Sequence, residues 1–358
     1  MLNIDSLSFW ERSTYFENID FTILGAGIVG CSTALHLRKK YPKAKIVVLE
    51  RGYLPMGAST KNAGFACFGS VSELIQDLNN MPEQEVWNIV QKRWEGLIYL
   101  KELIGISNLE YLQLGSWDLI HPKVDIREHN DKLEYLNQGI SKITNEKGVY
   151  YEDKEVISKN GFNGLQTAFC NRLEGQINTG KMMARFHALL TENNINLLNG
   201  ITLNTFEDVA GKVTLNTNIG SFETSNLSIC VNGFANQFLK NNQVKPSRAQ
   251  VLVTKPIPDL KIEGTFHYDQ GYYYFRNVGN RILFGGGRNL DFEGEFSDKF
   301  ENTDLIKDDL KQKLQDMILP NTKHEIEYYW SGIMGTGNSK KPITEHISPR
   351  VAIGVRMG

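Results

Sequence analysis

The hydrophobic pattern near the start of the chain predicts a strand, a helix and a second strand in direct succession. The segment DFTILG is typical of a short buried strand, because it carries no charge after Asp20. GIVGCSTALHLRKKY follows, with the apolar residues Val29, Ala34 and Leu37 at helical spacing. AKIVVLE is a second buried strand that ends in Glu50. A helix of this length between two strands indicates a parallel βαβ unit.

The rest of the pattern alternates helical stretches with short strands. SVSELIQDL and EQEVWNIVQKRWEGLIYLKEL predict helices, SWDLIH predicts a strand, and REHNDKLEYLNQGISKI predicts a charged helix. Strands dominate from Val251 to Gly287, and NTDLIKDDLKQKLQDMI predicts a helix with a solvated face before the final strands. This alternation indicates two domains between which the chain crosses more than once.

Composition narrows the classes of protein that fit this pattern. The 358 residues suffice for one large or two closely joined domains, and the 41% hydrophobic content is ordinary for a globular protein. A net charge of −2 gives no electrostatic reason for a nucleic acid or anionic membrane as partner. The sequence has no apolar run of transmembrane length and no secretion signal in its opening residues. We therefore expect a cytoplasmic protein.

The cysteines and histidines follow no recognised pattern of disulfides or metal ligands. Cys31, Cys67, Cys170 and Cys230 are widely scattered and form no C-x-x-C pair, which favours a reduced setting. The seven histidines form no H-E-x-x-H or related cluster. The sequence therefore predicts no metal site.

Three glycines lie where the first strand meets the helix, and each has a separate predicted role. Gly25 permits a tight turn, Gly27 leaves the backbone open to a pyrophosphate, and Gly30 lets the helix approach the strand closely. The phosphates would lie on the N–H groups at the start of the helix, around Ile28 and Val29. A glycine-rich turn that only packs tightly is the alternative interpretation.

Glu50 and the loop after it indicate which cofactor this turn would bind. Glu50 lies about twenty residues beyond the glycines, where a carboxylate accepts hydrogen bonds from a ribose and repels a 2′-phosphate, which argues against NADP. An NAD dehydrogenase would continue with another crossover helix, whereas here the loop RGYLPMGASTKNAGFACFGS follows. Its small residues let a planar ring system lie against the backbone.

With this loop the chain resembles the FAD-dependent oxidoreductases of the D-amino-acid oxidase, glycine oxidase and sarcosine oxidase family. The matching motifs are GAGIVG, VVLERG and GASTKNAG. LEGQINTGKMMARFHALLTENNINLLNG resembles the family's helix and strand whose end touches adenine, here near Ile201, and LSICVNGFANQFL puts Asn232 and Gly233 beside the cofactor. The resemblance also implies FAD contacts from the loop, at Arg51, Ala58, Ser59, Thr60, Lys61, Asn62, Ala63 and Gly64.

Later segments extend the resemblance from about Trp10 to the last residue. PSRAQVLV is similar to the family's P-x-R-G-Q segment, with Ala249 in place of glycine, and YYYFRNVGNRILFGGG resembles a hairpin of the substrate domain. WSGIMGTGNSKKPI resembles a further family motif and implies that Gly332 lies by the cofactor.

The fold that this resemblance implies is α/β with two domains. One is an FAD-binding, Rossmann-like domain with a mainly parallel sheet, expected at 1–105, 150–238 and 326–358. The other is an interleaved α+β substrate domain with an antiparallel sheet, expected at 106–149 and 239–325.

The implied reaction is oxidation of a C–N bond in an amine or amino acid by hydride transfer to flavin, followed by hydrolysis of the imine. In the segment GYYYFR, strand alternation puts Tyr274 and Arg276 on one face and Tyr273 and Phe275 on the other. The resemblance favours Tyr273 as the substrate-facing tyrosine, and an aromatic sheet packed into a core is the alternative. Arg356 lies where glycine oxidases hold a substrate carboxylate, which a guanidinium binds well. Tyr273, Arg276 and Arg356 are thus the candidate catalytic residues.

Departures from the family pattern bear on the substrate and on the electron acceptor. Met334 replaces a carboxylate-binding arginine of glycine oxidases, which leaves room for an amine or a larger N-substituted substrate. GASTKN is most similar to γ-glutamylputrescine oxidases, which favours an amine. SGIMGTG lacks the cysteine that links FAD in sarcosine oxidases, so noncovalent FAD is expected. Leu283 replaces a lysine that promotes reaction with oxygen, which leaves oxygen, a quinone or another carrier as the acceptor.

The chain stops at Gly358, where the family continues into a final helix, so we expect a missing tail and weakened FAD binding.

Two further hypotheses stay open. One is an NAD-dependent dehydrogenase that shares only the βαβ start, and the other is a non-catalytic flavoprotein subunit.

Overall fold

The structure is a computed structural model that describes residues 3–239 and 243–356. Its helices are α1 (Phe9–Glu11), α2 (Ile28–Lys40), α3 (Ala58–Lys61), α4 (Val71–Asn80), α5 (Glu83–Ile104), α6 (Ile106–Leu109), α7 (Arg127–Thr144), α8 (Glu155–Asn160), α9 (Thr179–Glu192) and α10 (Asp304–Lys313). Its strands are β1 (Ile19–Leu24), β2 (Ile46–Glu50), β3 (Phe65–Ala66), β4 (Ser116–Ile120), β5 (Tyr150–Glu152), β6 (Thr167–Asn171), β7 (Gly175–Gln176), β8 (Asn196–Asn199), β9 (Leu203–Val209), β10 (Lys212–Thr217), β11 (Gly220–Ile229), β12 (Lys245–Thr254), β13 (Thr265–Tyr268), β14 (Tyr273–Val278), β15 (Arg281–Gly286), β16 (Ile326–Thr336), β17 (Ile343–Ser348) and β18 (Val351–Val355).

The chain divides into two compact units, each built from separate segments. The first unit contains 1–61, 180–247 and 333–358, and the second contains 62–179 and 248–332. The chain therefore passes from one unit to the other four times, twice within a strand, in β12 and in β16. The predicted division gave 62–105 and 150–179 to the FAD-binding domain, whereas the structure groups these segments with the second unit.

The first unit is built on a sheet with parallel pairing at its centre. Its strand order is β17-β18-β11-β1-β2-β8, and β1 pairs in parallel with both β11 and β2. β1 to β2 is the predicted βαβ unit, with α2 as its crossover helix. All five residues of β2 are buried, as the continuous apolar run predicted. The antiparallel meander of β9, β10 and β11 was not predicted as separate strands.

Local interactions set the ends of α2. Its first turn follows Gly27 and has no side-chain cap at that residue. Its last turn carries Arg38, Lys39 and Lys40, which suit the negative end of the helix dipole. The guanidinium of Arg38 also donates to the carbonyl oxygens of Pro42 and Ala44, so the chain turns back toward β2.

The second unit has a largely antiparallel sheet whose strands come from distant parts of the chain. Its order is β16-β12-β15-β14-β13-β4-β6-β5, and β13 pairs with β4 in parallel. One face carries the aromatic core, in which Phe266 and Phe275 stack at a ring-centroid distance of 4.8 Å. The helix α10 packs there through Ile306 and Leu310. The two sheets together confirm the predicted α/β class.

Candidate functional site

The glycine turn of the first unit is shaped by close backbone contacts. Gly25 has a φ of +103°, and a Cβ there would lie 2.7 Å from the carbonyl oxygen of Cys230. A Cβ on Gly30 would lie only 1.8 Å from the carbonyl oxygen of Gly25. Both positions therefore require glycine for the βαβ unit to pack, which is the role predicted for them.

Gly27 lies at the N-terminus of α2 and has a different environment. A Cβ there would lie 2.7 Å from Oγ of Ser59, which is a side-chain atom. The backbone N–H of Ile28 donates to the same hydroxyl at 3.0 Å. On the next residue, Val29, the methyl group Cγ1 lies near Gly354 of β18. Ser59 thus contacts the N-terminus of α2, where the sequence predicts the phosphates. Because Gly27 has no Cβ, no side chain covers the backbone at this position.

Glu50 lies at the end of β2 with its carboxylate turned to the glycine turn. Its Oε2 accepts from the N–H of Ala26 at 3.1 Å, and its Oε1 accepts from the N–H of Gly52 at 3.0 Å. A carboxylate has about four lone-pair sites, so each oxygen keeps capacity for a ribose hydroxyl. The N–H of Ile201 donates to the backbone oxygen of Glu50 at 3.0 Å, which brings the predicted adenine-side residue to the same strand end. These residues fit the adenosine diphosphate part of FAD.

Arg51, Asn232 and Gly233 make packing contacts within the first unit. The guanidinium of Arg51 lies over the ring of Phe234 at 3.9 Å. Asn232 has a φ of +42°, and a Cβ on Gly233 would lie 2.6 Å from the carbonyl oxygen of Met334. Their predicted contact with the cofactor stays a prediction.

The segment GASTKNAG was predicted as a loop, and its first half forms the short helix α3 with Ala58, Ser59, Thr60 and Lys61. The Thr60 hydroxyl donates to the carbonyl oxygen of Pro55 at 2.8 Å. This hydrogen bond fixes the loop between β2 and α3.

The second half of the segment, 62–64, belongs to the second unit. Oδ1 of Asn62 accepts from the N–H of Gly64 and from the hydroxyl of Thr179, both at 2.9 Å. Gly64 has a φ of +73°, and a Cβ there would lie 2.5 Å from the carbonyl oxygen of Ile177. Glycine is required here because of both the backbone conformation and the close contact.

Arg276, predicted as a catalytic residue, holds this segment in place through hydrogen bonds to backbone oxygens. Its Nε donates to the carbonyl oxygen of Ala63 at 2.5 Å, and its Nη2 donates to that of Ile177 at 3.0 Å. Its Nη1 donates to the carbonyl oxygen of Asn277 at 3.3 Å. Burial lowers the pKa of this guanidinium to about 10. All three nitrogens are thus bound to backbone oxygens, and Arg276 is a positioning residue.

Tyr273 lies on the core face of the second sheet, and its predicted contact with substrate stays a prediction. Its side chain is 2% exposed, and its hydroxyl donates to Oδ2 of Asp309 on α10 at 2.8 Å. Burial and this carboxylate raise the pKa of Tyr273. The predicted alternation is present, because Tyr273 and Tyr274 lie in different clusters of the second unit. Tyr274 lies on the other face with Arg276, and its ring packs against Ala63 and Phe65.

Arg356 and Gly332 complete the predicted set. Nε of Arg356 donates to the carbonyl oxygen of Lys341 at 2.8 Å, and its Nη2 donates to the same oxygen. Gly332 is buried in β16 of the second unit. Met357 and Gly358, on which the expectation of a missing tail rests, lie outside the described residues.

Sequence reasoning missed a polar cluster in the second unit. One ligand atom each from Cys67, Glu174 and His267 lies within 4.8 Å of the others. Oε1 of Glu174 accepts from the N–H groups of Phe68 at 2.6 Å and Gly69 at 2.7 Å. Burial, and then the Glu174 carboxylate, raise the pKa of the Cys67 thiol. The segment RLEGQI around Glu174 mixes charged, polar and apolar residues, so it carries no signal for this cluster.

Sequence reasoning also missed His187, whose Nε2 lies 3.1 Å from the carbonyl oxygen of Ala26 in the glycine turn. Its place on α9 gave no spacing that would connect it with that turn.

No helix within 3–239 and 243–356 is long and apolar enough to cross a bilayer.

The fold of this chain is similar to the folds of several solved structures. Solved structures with a similar fold include a glycine oxidase from Bacillus cereus, with 14% identity, a TM-score of 0.71, and coverage of 94% of this chain and 89% of that one. An L-amino acid deaminase from Proteus myxofaciens has 14% identity, a TM-score of 0.73, and coverage of 96% and 87%. An L-proline dehydrogenase from P. horikoshii has 17% identity, a TM-score of 0.67, and coverage of 95% and 88%. These identities establish the fold alone.

No functionally curated protein matches the sequence. A family model described as DAO, FAD dependent oxidoreductase, matches residues 20–356. This match confirms the family resemblance and FAD as the cofactor, and it contradicts the hypothesis of an NAD-dependent dehydrogenase. With the glycine turn, Glu50 and nearly the whole chain inside the match, the protein belongs to the DAO family of FAD-dependent oxidoreductases.

Proposed function

We propose that this protein oxidises the C–N bond of an amine that lacks an α-carboxylate. FAD, when bound, supplies the acceptor for the hydride that leaves the α-carbon. The nitrogen gives up its proton, and water then hydrolyses the imine to a carbonyl compound and ammonia or a smaller amine. The names of the similar solved structures, among them glycine oxidase, iminodiacetate oxidase and L-amino acid deaminase, support a substrate with a C–N bond.

The observation that carries this choice of substrate is the engagement of both candidate arginines. Arg276 is 7% exposed and gives three of its five N–H donors to backbone oxygens, and Arg356 gives two of its five to the carbonyl oxygen of Lys341, so each has fewer donors left for a carboxylate. Bidentate binding of a carboxylate needs two adjacent N–H donors of one guanidinium. Met334 also stands where glycine oxidases have a second arginine. These three positions together favour an amine over an amino acid.

The apolar part of such an amine would find its binding surface on the Arg276 face of the second sheet. Ala63, Val251, Val253 and Leu283 form a small buried cluster there. The half-buried rings of Phe65, Tyr274 and Trp330 pack against this cluster. Burial raises the pKa of Tyr274 to about 12, so its phenol stays protonated and keeps a hydroxyl for a substrate nitrogen. We assign substrate contact to Tyr274 in place of Tyr273.

Two finer features belong to the same proposal. FAD binds noncovalently, because SGIMGTG offers no cysteine for a link and Cys31, Cys67, Cys170 and Cys230 are all free thiols. These thiols also support a cytoplasmic setting. Leu283 is 7% exposed inside an apolar cluster, so no cation there promotes reaction with oxygen. A quinone or another carrier is therefore the proposed electron acceptor.

The decisive experiment is anaerobic mixing of the FAD-loaded protein with matched pairs of substrates. Each pair consists of an amine and the amino acid that differs from it only by an added α-carboxylate. The readout is the loss of flavin absorbance. We expect the amines to bleach the flavin faster than their partners. Faster reduction by the amino acids would contradict the substrate proposal, and flavin that stays oxidised with every compound would favour a non-catalytic flavoprotein. Admitting oxygen or a soluble quinone afterwards identifies the acceptor.

A further inference from the structure

Cys67, Glu174 and His267 come together through strand pairing although they are far apart in sequence. In the antiparallel pairing of β3 with β7, Ala66 lies opposite Gly175. Cys67 comes directly after Ala66 and Glu174 directly before Gly175, so the pairing brings Cys67 and Glu174 together. His267 lies on β13, next to Asp118 of β4. One ligand atom from each of the three residues lies within 4.8 Å of the others.

Two buried polar atoms of this cluster have no hydrogen-bond partner. Glu174 is 0% exposed, and its Oε1 is held by two backbone N–H groups, whereas its Oε2 accepts no hydrogen bond. Nε2 of His267 is also buried without a partner. An uncompensated buried carboxylate oxygen is costly, and a bound cation is one of the few groups that would compensate it.

The donor atoms are those that a transition metal prefers. Sulfur, imidazole nitrogen and carboxylate oxygen together match Zn²⁺, which takes three protein ligands in sites that keep a fourth position open. A tetrahedral Zn²⁺ with ordinary bond lengths holds such atoms roughly 3.4–3.6 Å apart. Since the three atoms lie within 4.8 Å of one another, the contraction needed is at most about 1.4 Å, within the reach of side-chain rotation.

The surroundings would orient each ligand. Oε1 of Glu174 is fixed by the N–H groups of Phe68 and Gly69. Sγ of Cys67 lies 3.7 Å from the hydroxyl of Ser116 and 4.0 Å from that of Thr265. Such outer contacts are typical of metal sites.

We propose that Cys67, Glu174 and His267 form a Zn²⁺ site in the second unit. The metal binds as the Cys67 thiol releases its proton to solvent, and no redox step is involved. Cys67 and His267 are only partly buried, which gives the ion a path of entry. The site adjoins the proposed substrate surface, because the ring of His267 lies 5.2 Å from that of Phe65 and His267 pairs with Tyr274 on the neighbouring strand.

The test uses the FAD-loaded protein, stripped with a chelator, incubated with zinc chloride and dialysed against metal-free buffer. Elemental analysis is expected to find one zinc per chain. X-ray absorption at the zinc edge is expected to show one sulfur neighbour at about 2.3 Å together with nitrogen and oxygen neighbours. C67S should remove the sulfur neighbour and weaken zinc binding at least tenfold. The matched control is C170S, since Cys170 is another buried free thiol of the same unit, and it should bind zinc as the wild type does.

Absence of stoichiometric zinc in the wild type, or a sulfur neighbour that persists in C67S, would overturn the proposal. If C67S does not fold, as judged by circular dichroism, H267Q takes its place, and unchanged zinc affinity in that variant would overturn the proposal equally. Flavin content and flavin reduction are measured on the same samples. If the protein binds no zinc but amines reduce its flavin, the zinc site is refuted and the proposed function is not. If it binds zinc but amines do not reduce its flavin, the proposed function is refuted and the zinc site is not.

Discussion

Two glycines of one short turn have different structural roles at the residue scale. At Gly30 a methyl group would meet a backbone oxygen at 1.8 Å, so the backbone itself must move. At Gly27 it would meet a side-chain hydroxyl at 2.7 Å, which can rotate away. Gly30 is therefore required by the backbone packing, whereas the predicted role of Gly27 is to leave room for phosphate.

We therefore expect G30A to destabilise the protein and G27A to weaken FAD binding. Overpacking costs about 1–3 kcal/mol, which G30A should show as a lower melting temperature of the FAD-free protein. G27A should keep most of the thermal stability but lose FAD affinity by about tenfold or more, or about 1.4 kcal/mol. Thermal melts and fluorescence titration with FAD measure the two effects. Wild-type FAD affinity in G27A would refute the role of this position.

Tyr273 and Tyr274 form a second contrasting pair of residues. Y274F removes the hydroxyl that we assign to the substrate, and we expect flavin reduction by amines to lose about tenfold in efficiency. Y273F removes only the hydrogen bond to Asp309, whose carboxylate keeps its ion pair with Lys313 at 3.0 Å. It should cost about 1 kcal/mol of stability and leave flavin reduction unchanged. Rapid-mixing kinetics and urea unfolding distinguish these outcomes, and equal kinetics in both variants would contradict the assignment.

The candidate residues show what the sequence could predict. The tight turn at Gly25 and the tight packing at Gly30 were predictable because they depend on neighbours within one βαβ unit, and the contact of Glu50 with a ribose stays a prediction. The alternation of Tyr273 and Tyr274 was also predictable, but the choice of face was not, since it depends on α10 packing against that sheet. Glu174 and His267 meet Cys67 only through the pairing of distant strands, and no spacing in the sequence reports this.

The structure explains the segment PSRAQ at the scale of elements. Arg248 of β12 donates through Nε and Nη2 to the two carboxylate oxygens of Glu295, at 3.0 and 2.6 Å. The side chains of this ion pair are only 5% and 1% exposed. Gln250, two residues along the same face, donates to Glu295 and accepts from the N–H of Thr303 ahead of α10. The motif thus connects a strand to the segment before a helix.

Breaking this ion pair from one side should be strongly destabilising. E295Q leaves a buried guanidinium without its counter-charge, and we expect the free energy of unfolding to fall by about 3–5 kcal/mol. Glu301 is the matched control, because it lies 3.8 Å from the same guanidinium but is 63% exposed. E301Q should change stability by less than about 0.5 kcal/mol. Equal effects of the two variants in urea unfolding would contradict this account.

At the scale of the whole molecule, neither unit is a continuous piece of chain. The aromatic core of the second unit takes Leu119, Phe162 and Ala168 from one segment, and Phe266 and Phe284 from the other. The sequence predicted that the chain crosses between domains, because helical and strand patterns alternate. It could not predict the crossing points, since two of them fall inside the single strands β12 and β16.

A fragment that contains only 62–179 should therefore fail to fold. It would have β4, β5 and β6 but not β13, and the edge of β4 that pairs with β13 would be left unpaired. We expect no cooperative unfolding transition by circular dichroism and strong binding of a hydrophobic dye. Co-expression with 248–332 is the control that supplies the missing strands. A cooperative transition in the isolated fragment would show that this unit does not depend on its second segment.

The position of β18 has a consequence for synthesis on the ribosome. β18 lies between β17 and β11, and its partners in β11 are Leu227, Ser228 and Ile229. At usual translation rates, β11 leaves the ribosome on the order of ten seconds before β18 does. During that interval the backbone N–H and C=O groups of β11 are open to pairing with the wrong strand of a nascent chain. Newly made protein is thus expected to need a chaperone until Val351–Val355 has emerged.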